Sequence, residues 1–136
     1  MGYIGGQQAW DIVLSGLKRL EYRGYDSAGV VTLSERKLRL ARQVGHISAL
    51  EKAQPEPLAG SIGIGHTRWA THGGVSVKNC HPHRDSSERV AIVHNGIIDN
   101  MEALRAQLCA EGVTFRSETD SEILAELVGR GLARGL

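Results

Sequence analysis

Four short apolar segments, SAGVVTL (27–33), KLRLARQV (37–44), GSIGIGHT (60–67) and RVAIVHN (89–95), lie between one amphipathic stretch near the start of the chain and two near its end. Their lengths, glycines and β-branched residues predict strands, and GSIGIG and RVAIV read as buried on both faces. From Gln7 to Glu21, the residues Trp10, Val13, Leu14, Leu17 and Leu20 recur at three- and four-residue spacing, which paints one stripe on a helix. Lys18 and Arg19 suit its C-terminal end, and Gly24 stops it. A second helix is expected from about Asp99 to Glu111, with Met101, Leu104 and Leu108 on one face and Gly112 at its end. A third begins near Thr119, where Thr119 and Glu122 have capping-box spacing, and carries Ile123, Leu124, Leu127 and Val128 inward. Helix, then strands, then helices is the order of a layered α+β fold.

A chain of 136 residues holds one core of ordinary size. Its 16 basic and 15 acidic residues leave a net charge of +1, too weak a field to hold a polyanion, so nucleic acid is not an expected partner. The apolar runs are far shorter than a membrane span, and no charged segment followed by an apolar one marks the N-terminus for export. Cys80 and Cys109 are too few for a disulfide framework, and the cytoplasm is the expected location.

Polar residues collect where the predicted strands end, and three clusters stand out. In HTRWATHGG (66–74), the Arg68 guanidinium can hold a carboxylate through two parallel bonds, Trp69 can cover such a site, and Thr71 and His72 can add hydrogen bonds. The same residues also suit a structural ion pair and a satisfied turn. In HNG (94–96), Asn95 and Gly96 fit either a tight hairpin turn or an oxyanion hole made by a side-chain amide and a backbone N–H. In SETDSE (117–122), most residues suit a helix start, but Asp120 can instead point into a cleft and hold a cation. Arg68 for a carboxylate and Asp120 for an ammonium would together recognise both charges of a free amino acid. A competing set is CHPH (80–83) with His94, whose Cys and His residues are metal-ligand types; the spacing matches no standard zinc pattern, and no metal is expected.

The motifs LEYRGYDSAG (20–29), TRWATHG (67–73), HPH (81–83), HNGIIDN (94–100) and SETDSE (117–122) resemble, in order and spacing, the glutaminase domain of class II glutamine amidotransferases. Their form is closest to the branch that makes glucosamine 6-phosphate from fructose 6-phosphate. The resemblance implies the αββα sandwich of N-terminal nucleophile hydrolases, here in part. It also implies that Arg68 binds the α-carboxylate of L-glutamine, Asp120 its α-ammonium, and Asn95 and Gly96 the oxyanion. Trp69, Thr71 and His72 would line or close the glutamine site, and His81 lies in a stretch tied to communication with a second active site. No cofactor is implied; a homodimer is, in the full-length protein.

The family's nucleophile is a cysteine at the mature N-terminus, whose free α-amino group, with a pKa of about 8, acts as general base. This chain opens MGYIGG. Aligned with the family's opening Cys-Gly-Ile-Val, Met1 falls on the valine, and the expectation is a start that lies upstream. The resemblance makes residues 1–136 the first half of the glutaminase domain, with its second half and two sugar-isomerase domains, which take fructose 6-phosphate, beyond them. A glutamine-binding or synthase-pairing module without catalysis, and a gene remnant that does not fold stably, are the alternatives.

Overall fold

The computed structural model describes residues 1–69 and 74–135. Strand β1 (Gly2–Ile4) precedes helix α1 (Ala9–Leu20), which runs on into one 3₁₀ turn at Glu21–Arg23. Strands β2 (Ser27–Ser34) and β3 (Lys37–Val44), helix α2 (Ile47–Ala53) and strand β4 (Ile62–Arg68) follow. Two-residue strands β5 (His83–Arg84) and β6 (Ala91–Ile92) come next, then α3 (Met101–Ala110) and α4 (Asp120–Ala133). The first four strands form one antiparallel sheet in the order β1-β4-β2-β3, and β5 and β6 pair in a second.

The stripe foreseen on α1 is the main core. Trp10, Val13, Leu14 and Leu17 pack with Ala28 and Val30 of β2, Ala41 of β3, and Ile47 and Leu50 of α2. At roughly 1.5–3 kcal/mol per buried large side chain, this layer supplies most of the apolar stabilisation. Gly65 lets the helix come this close, since a Cβ there would lie 2.5 Å from Val13 and 2.9 Å from Leu17. On the sheet's other face, Val31, Leu38 and Ile64 share a cavity of about 160 Å³ with Ala91 of the second sheet. Helix α4 covers β5 and β6, and Leu108, Val113 and Ile123 form a second core between α3 and α4. The layers run α, β, β, α.

Several expectations are corrected. GSIGIG is not buried on both faces: Ile62 is 38% exposed, because β4 alternates between α1 on one side and a partly open space on the other. RVAIV contributes only the two half-buried residues of β6. Thr119 makes no side-chain bond to the first turn of α4. Its hydroxyl meets His83 Nε2 at 2.9 Å, and Glu122 accepts bonds from Arg116 N–H, Ser117 N–H and the Ser117 hydroxyl instead of closing a capping box. Leu127 and Val128 point outward, because α4 turns Glu122, Ala125, Glu126 and Gly129 toward β5 and β6. Helix α2 was not foreseen; seven residues carry too little periodicity to show one.

Gly29 marks a close approach between the layers. A Cβ there would sit 1.9 Å from the carbonyl oxygen of His81, a backbone atom with no room to yield. Gly29→Ala should lower the urea midpoint by the equivalent of about 3 kcal/mol, the upper part of the usual range for overpacking; an unchanged midpoint would mean the layers are not held at this spacing.

Candidate functional site

The two sheets bring the three polar clusters to one end of the fold. Pairing of Ser27 with Arg68 and of Gly29 with His66 fixes where β4 stops, and the Arg68 carbonyl accepts the Asp26 N–H at 3.0 Å. From the second layer, the stretch after β6 carries His94, Asn95 and Gly96, and the start of α4 carries Asp120 and Ser121. Arg68, Trp69, His81, Asn95, Gly96 and Asp120 line one cavity, together with His66, His94, Thr119 and Ser121. Six of the eight residues expected at the site therefore converge; Thr71 and His72 fall outside the described residues.

The two charged residues are each 4% exposed. Arg68 Nη1 donates to the Gly74 carbonyl at 3.4 Å. Asp120 Oδ2 accepts the Ile98 N–H at 3.0 Å, and its Oδ1 accepts the Ser121 hydroxyl at 3.3 Å. A guanidinium and a carboxylate thus sit on separate walls, each oriented by neighbouring groups. The polar end of the cavity is narrow, about 10 Å³ or room for one water, but it shares Trp69, His66 and Asn95 with a groove of about 190 Å³ that runs beside Met1. Trp69 is 57% exposed and is steadied by the edge of Tyr25, whose ring stacks on His46.

The hairpin alternative for Asn95 and Gly96 is not what forms. β6 ends at Ile92, no strand follows before α3, and Gly96 has no positive φ, so the segment is an open loop facing the cavity. Cys80 is buried with its thiol donating to the Ser76 carbonyl, Cys109 is exposed on α3, and neither lines the cavity. Among the described residues, no group of three or more His, Cys, Asp or Glu is placed to hold a metal ion, and no helix is long and apolar enough to cross a membrane.

His81, expected in a coupling stretch, and His83, one of the metal-ligand types in CHPH, were not foreseen to join His66 in a row, stacked and then edge to face, whose first two members line the cavity. His66 and His81 lie with ring centres 4.5 Å apart, His81 and His83 4.7 Å apart. Burial, reinforced by the N-terminal ammonium and Arg68, holds His66 down to about 4. Burial and the two flanking rings hold His81 to about 2, and burial with Arg42 and Arg68 holds His83 to about 3. All three rings are neutral at pH 7. In the unfolded chain each takes a proton near pH 6.5, so stability is full above that pH and falls as the pH drops toward the folded values. Around pH 5 the loss should reach of order 3–4 kcal/mol per pH unit from three rings. Urea midpoints at pH 7.5, 6.5 and 5 check this, and equal midpoints would contradict it.

Comparisons with known proteins bear on this arrangement. The glutamine amidotransferase domain family matches residues 57–131. The glutamine–fructose-6-phosphate aminotransferase (isomerizing) of Streptomyces coelicolor is 55% identical over 130 residues, covering 94% of this chain and 21% of that protein. That of Pyrococcus horikoshii is 49% identical over 133 residues, covering 97% of this chain and 22% of its own length. The chain therefore spans about a fifth of the curated relatives it matches. Among solved structures, the glutamine phosphoribosylpyrophosphate amidotransferase from B. subtilis, complexed with ADP and GMP, superposes with a TM-score of 0.80 at 31% identity, over 95% of this chain and 28% of that one. A second, described as the allosteric regulatory enzyme of purine biosynthesis, gives 0.82 at 33% identity, over 95% of this chain and 29% of that one.

Proposed function

This chain belongs to the glutamine amidotransferase domain family, and from that premise we propose that it is the glutamine-recognising first half of the glutaminase domain of a glutamine–fructose-6-phosphate aminotransferase. The observation that carries the reading is the convergence of buried Arg68 and Asp120 on a cavity lined by Asn95 and Gly96. In this reading Arg68 grips the α-carboxylate of L-glutamine through two parallel bonds and Asp120 takes the α-ammonium. The Asn95 amide and Gly96 N–H receive the carbonyl oxygen as negative charge develops on it. Trp69, Thr71 and His72 contribute to binding L-glutamine, and His81, between the other two rings, couples the site to a second active site. Entry of an amino acid requires the narrow end to open, and Trp69, Asn95 and Gly96 are its exposed walls.

The attacking thiol comes from ahead of Met1. Met1 and Gly65 exchange two backbone bonds, at 3.1 and 2.9 Å, and Gly2 pairs with Ile64. Continuing β1 in that register sets the third residue upstream opposite Arg68, on the same face of the sheet. A cysteine there gives its thiol proton to its own α-amino group and attacks the amide carbon. The proton passes to the departing nitrogen, ammonia leaves, and water cleaves the thioester to glutamate and free thiol. The ammonia then serves to convert fructose 6-phosphate to glucosamine 6-phosphate in isomerase domains beyond residue 136, in a cytoplasmic homodimer. The native protein, incubated with both substrates, should form glutamate and glucosamine 6-phosphate in equal amounts. L-glutamine binding without either product would replace this reading with a non-catalytic module.

A further inference from the structure

The segment bearing Asp120 and Gly74, six residues past Arg68, come from distant parts of the chain; a buried side chain joins them, and the Gly74 N–H also meets the Glu118 carboxylate directly. Asn79, fully buried at the end of a 3₁₀ turn, donates from Nδ2 to the Gly74 carbonyl and to Glu118 Oε2, both at 2.9 Å. Its Oδ1 accepts the Glu118 N–H at 2.9 Å. The carbonyl of Gly74 is also the acceptor of Arg68 Nη1, and Glu118 lies two residues before Asp120. One amide is therefore a single acceptor away from the arginine and two residues away from the aspartate. The Asn79 backbone carbonyl adds a bond to His83, whose Nε2 meets the Thr119 hydroxyl, so the two segments are tied a second time. From the opposite side, Arg105 donates to the Ser117 and Thr119 carbonyls and fixes the segment against α3.

We propose that Asn79 is a positioning residue that sets the separation of Arg68 and Asp120 through its bonds to Gly74 and Glu118. The inference rests on the glutamine reading of the site. The carboxylate and ammonium of an α-amino acid are carried by one carbon, so their two receptors tolerate little change in spacing. Asn79 meets the need because its one side chain offers both a donor and an acceptor to the facing segment. Aspartate in its place would lose the donor and set a second negative charge against Glu118. The Glu118 carboxyl, held below its ordinary pKa first by the Asn79 amide and then by Lys78, stays ionised as the acceptor.

The test uses the exposed member of the pair, whose replacement does not threaten folding. L-glutamine affinity is read from melting temperature against ligand concentration in the full chain, for Glu118→Ala, Glu118→Gln and Asn79→Asp. Glu118→Ala, which removes the acceptor, should weaken binding about tenfold while the ligand-free melting temperature stays nearly constant. Glu118→Gln keeps an acceptor oxygen and the backbone N–H, and should bind within about twofold of the unaltered chain. Asn79→Asp should weaken binding at least as much as Glu118→Ala. Equal binding by Glu118→Ala and the unaltered chain overturns the assignment, as does equal weakening by Ala and Gln. If L-glutamine does not protect the unaltered chain, the glutamine reading itself falls, and the assignment with it.

Discussion

Arg68→Met removes the stabilisation that L-glutamine gives the chain, and Arg68→Lys restores only a small part of it. Arg68 is 4% exposed, so a bound carboxylate would be shielded from water, where a charge-assisted pair is at its strongest. Two parallel bonds need a planar fork, and an ammonium offers a point charge on a flexible stem instead. Loss of the fork should weaken binding about 100-fold, or about 2.7 kcal/mol. The lysine variant decides between readings: if Arg68 served only to place positive charge near the cavity, lysine would bind L-glutamine almost as well. Titration of the melting temperature with ligand separates the two, because any loss of ligand-free stability appears in the baseline and not in the concentration dependence.

Extending the chain by Cys-Gly-Ile, with Met1→Val, is expected to produce glutamine hydrolysis where the unextended polypeptide shows only background. Strand register sets where the added residues run. β1 pairs Gly2 with Ile64, Tyr3 with Gly63 and Ile4 with Ile62, so each upstream residue meets the next residue of β4. The groove of about 190 Å³ between Met1, Gly65, His66, Thr67, Trp69 and Asn95 lies along that path. The first residue of the extension would then face Arg68 across the pair, near Asn95, with its α-amino group free. Ammonia release at least about 10³-fold above the unextended chain is expected, given what loss of a nucleophile costs other enzymes. The same extension beginning with serine should stay near background, because a hydroxyl is a far weaker nucleophile near neutral pH. Equal rates for both extensions would remove the thiol from the mechanism.

What the sequence disclosed follows from where its signals are local. The stripe of Trp10, Val13, Leu14 and Leu17 needs only helical period to be read, and it is the core. The turn between β2 and β3 was not signalled, because Glu35 and Arg36 adopt positive φ without the Asn or Gly that usually marks such a turn. Leu127 and Val128 were misplaced because the face of α4 that packs carries Glu122 and Glu126, buried with hydrogen-bond partners that no periodicity rule anticipates. Arg68, Asn95, Gly96 and Asp120, which line one cavity, were singled out by residue type at predicted strand and helix ends, with ion-pair, turn and cap readings open until the family resemblance implied roles for them. His66, His94 and Ser121 were not assigned to it, because their place depends on how the second sheet stacks on the first. The Asn79 link spans 39 residues of sequence, beyond any local pattern.

The measurement that bears most directly on the whole account is the thermal protection of the chain by L-glutamine, D-glutamine and glutaramide, which has the amide but neither charge. If Arg68 and Asp120 receive the two charges of an α-amino acid, the melting temperature rises with L-glutamine, much less with D-glutamine and not with glutaramide. Protection by glutaramide equal to that by L-glutamine, or no protection by any of the three, would contradict it.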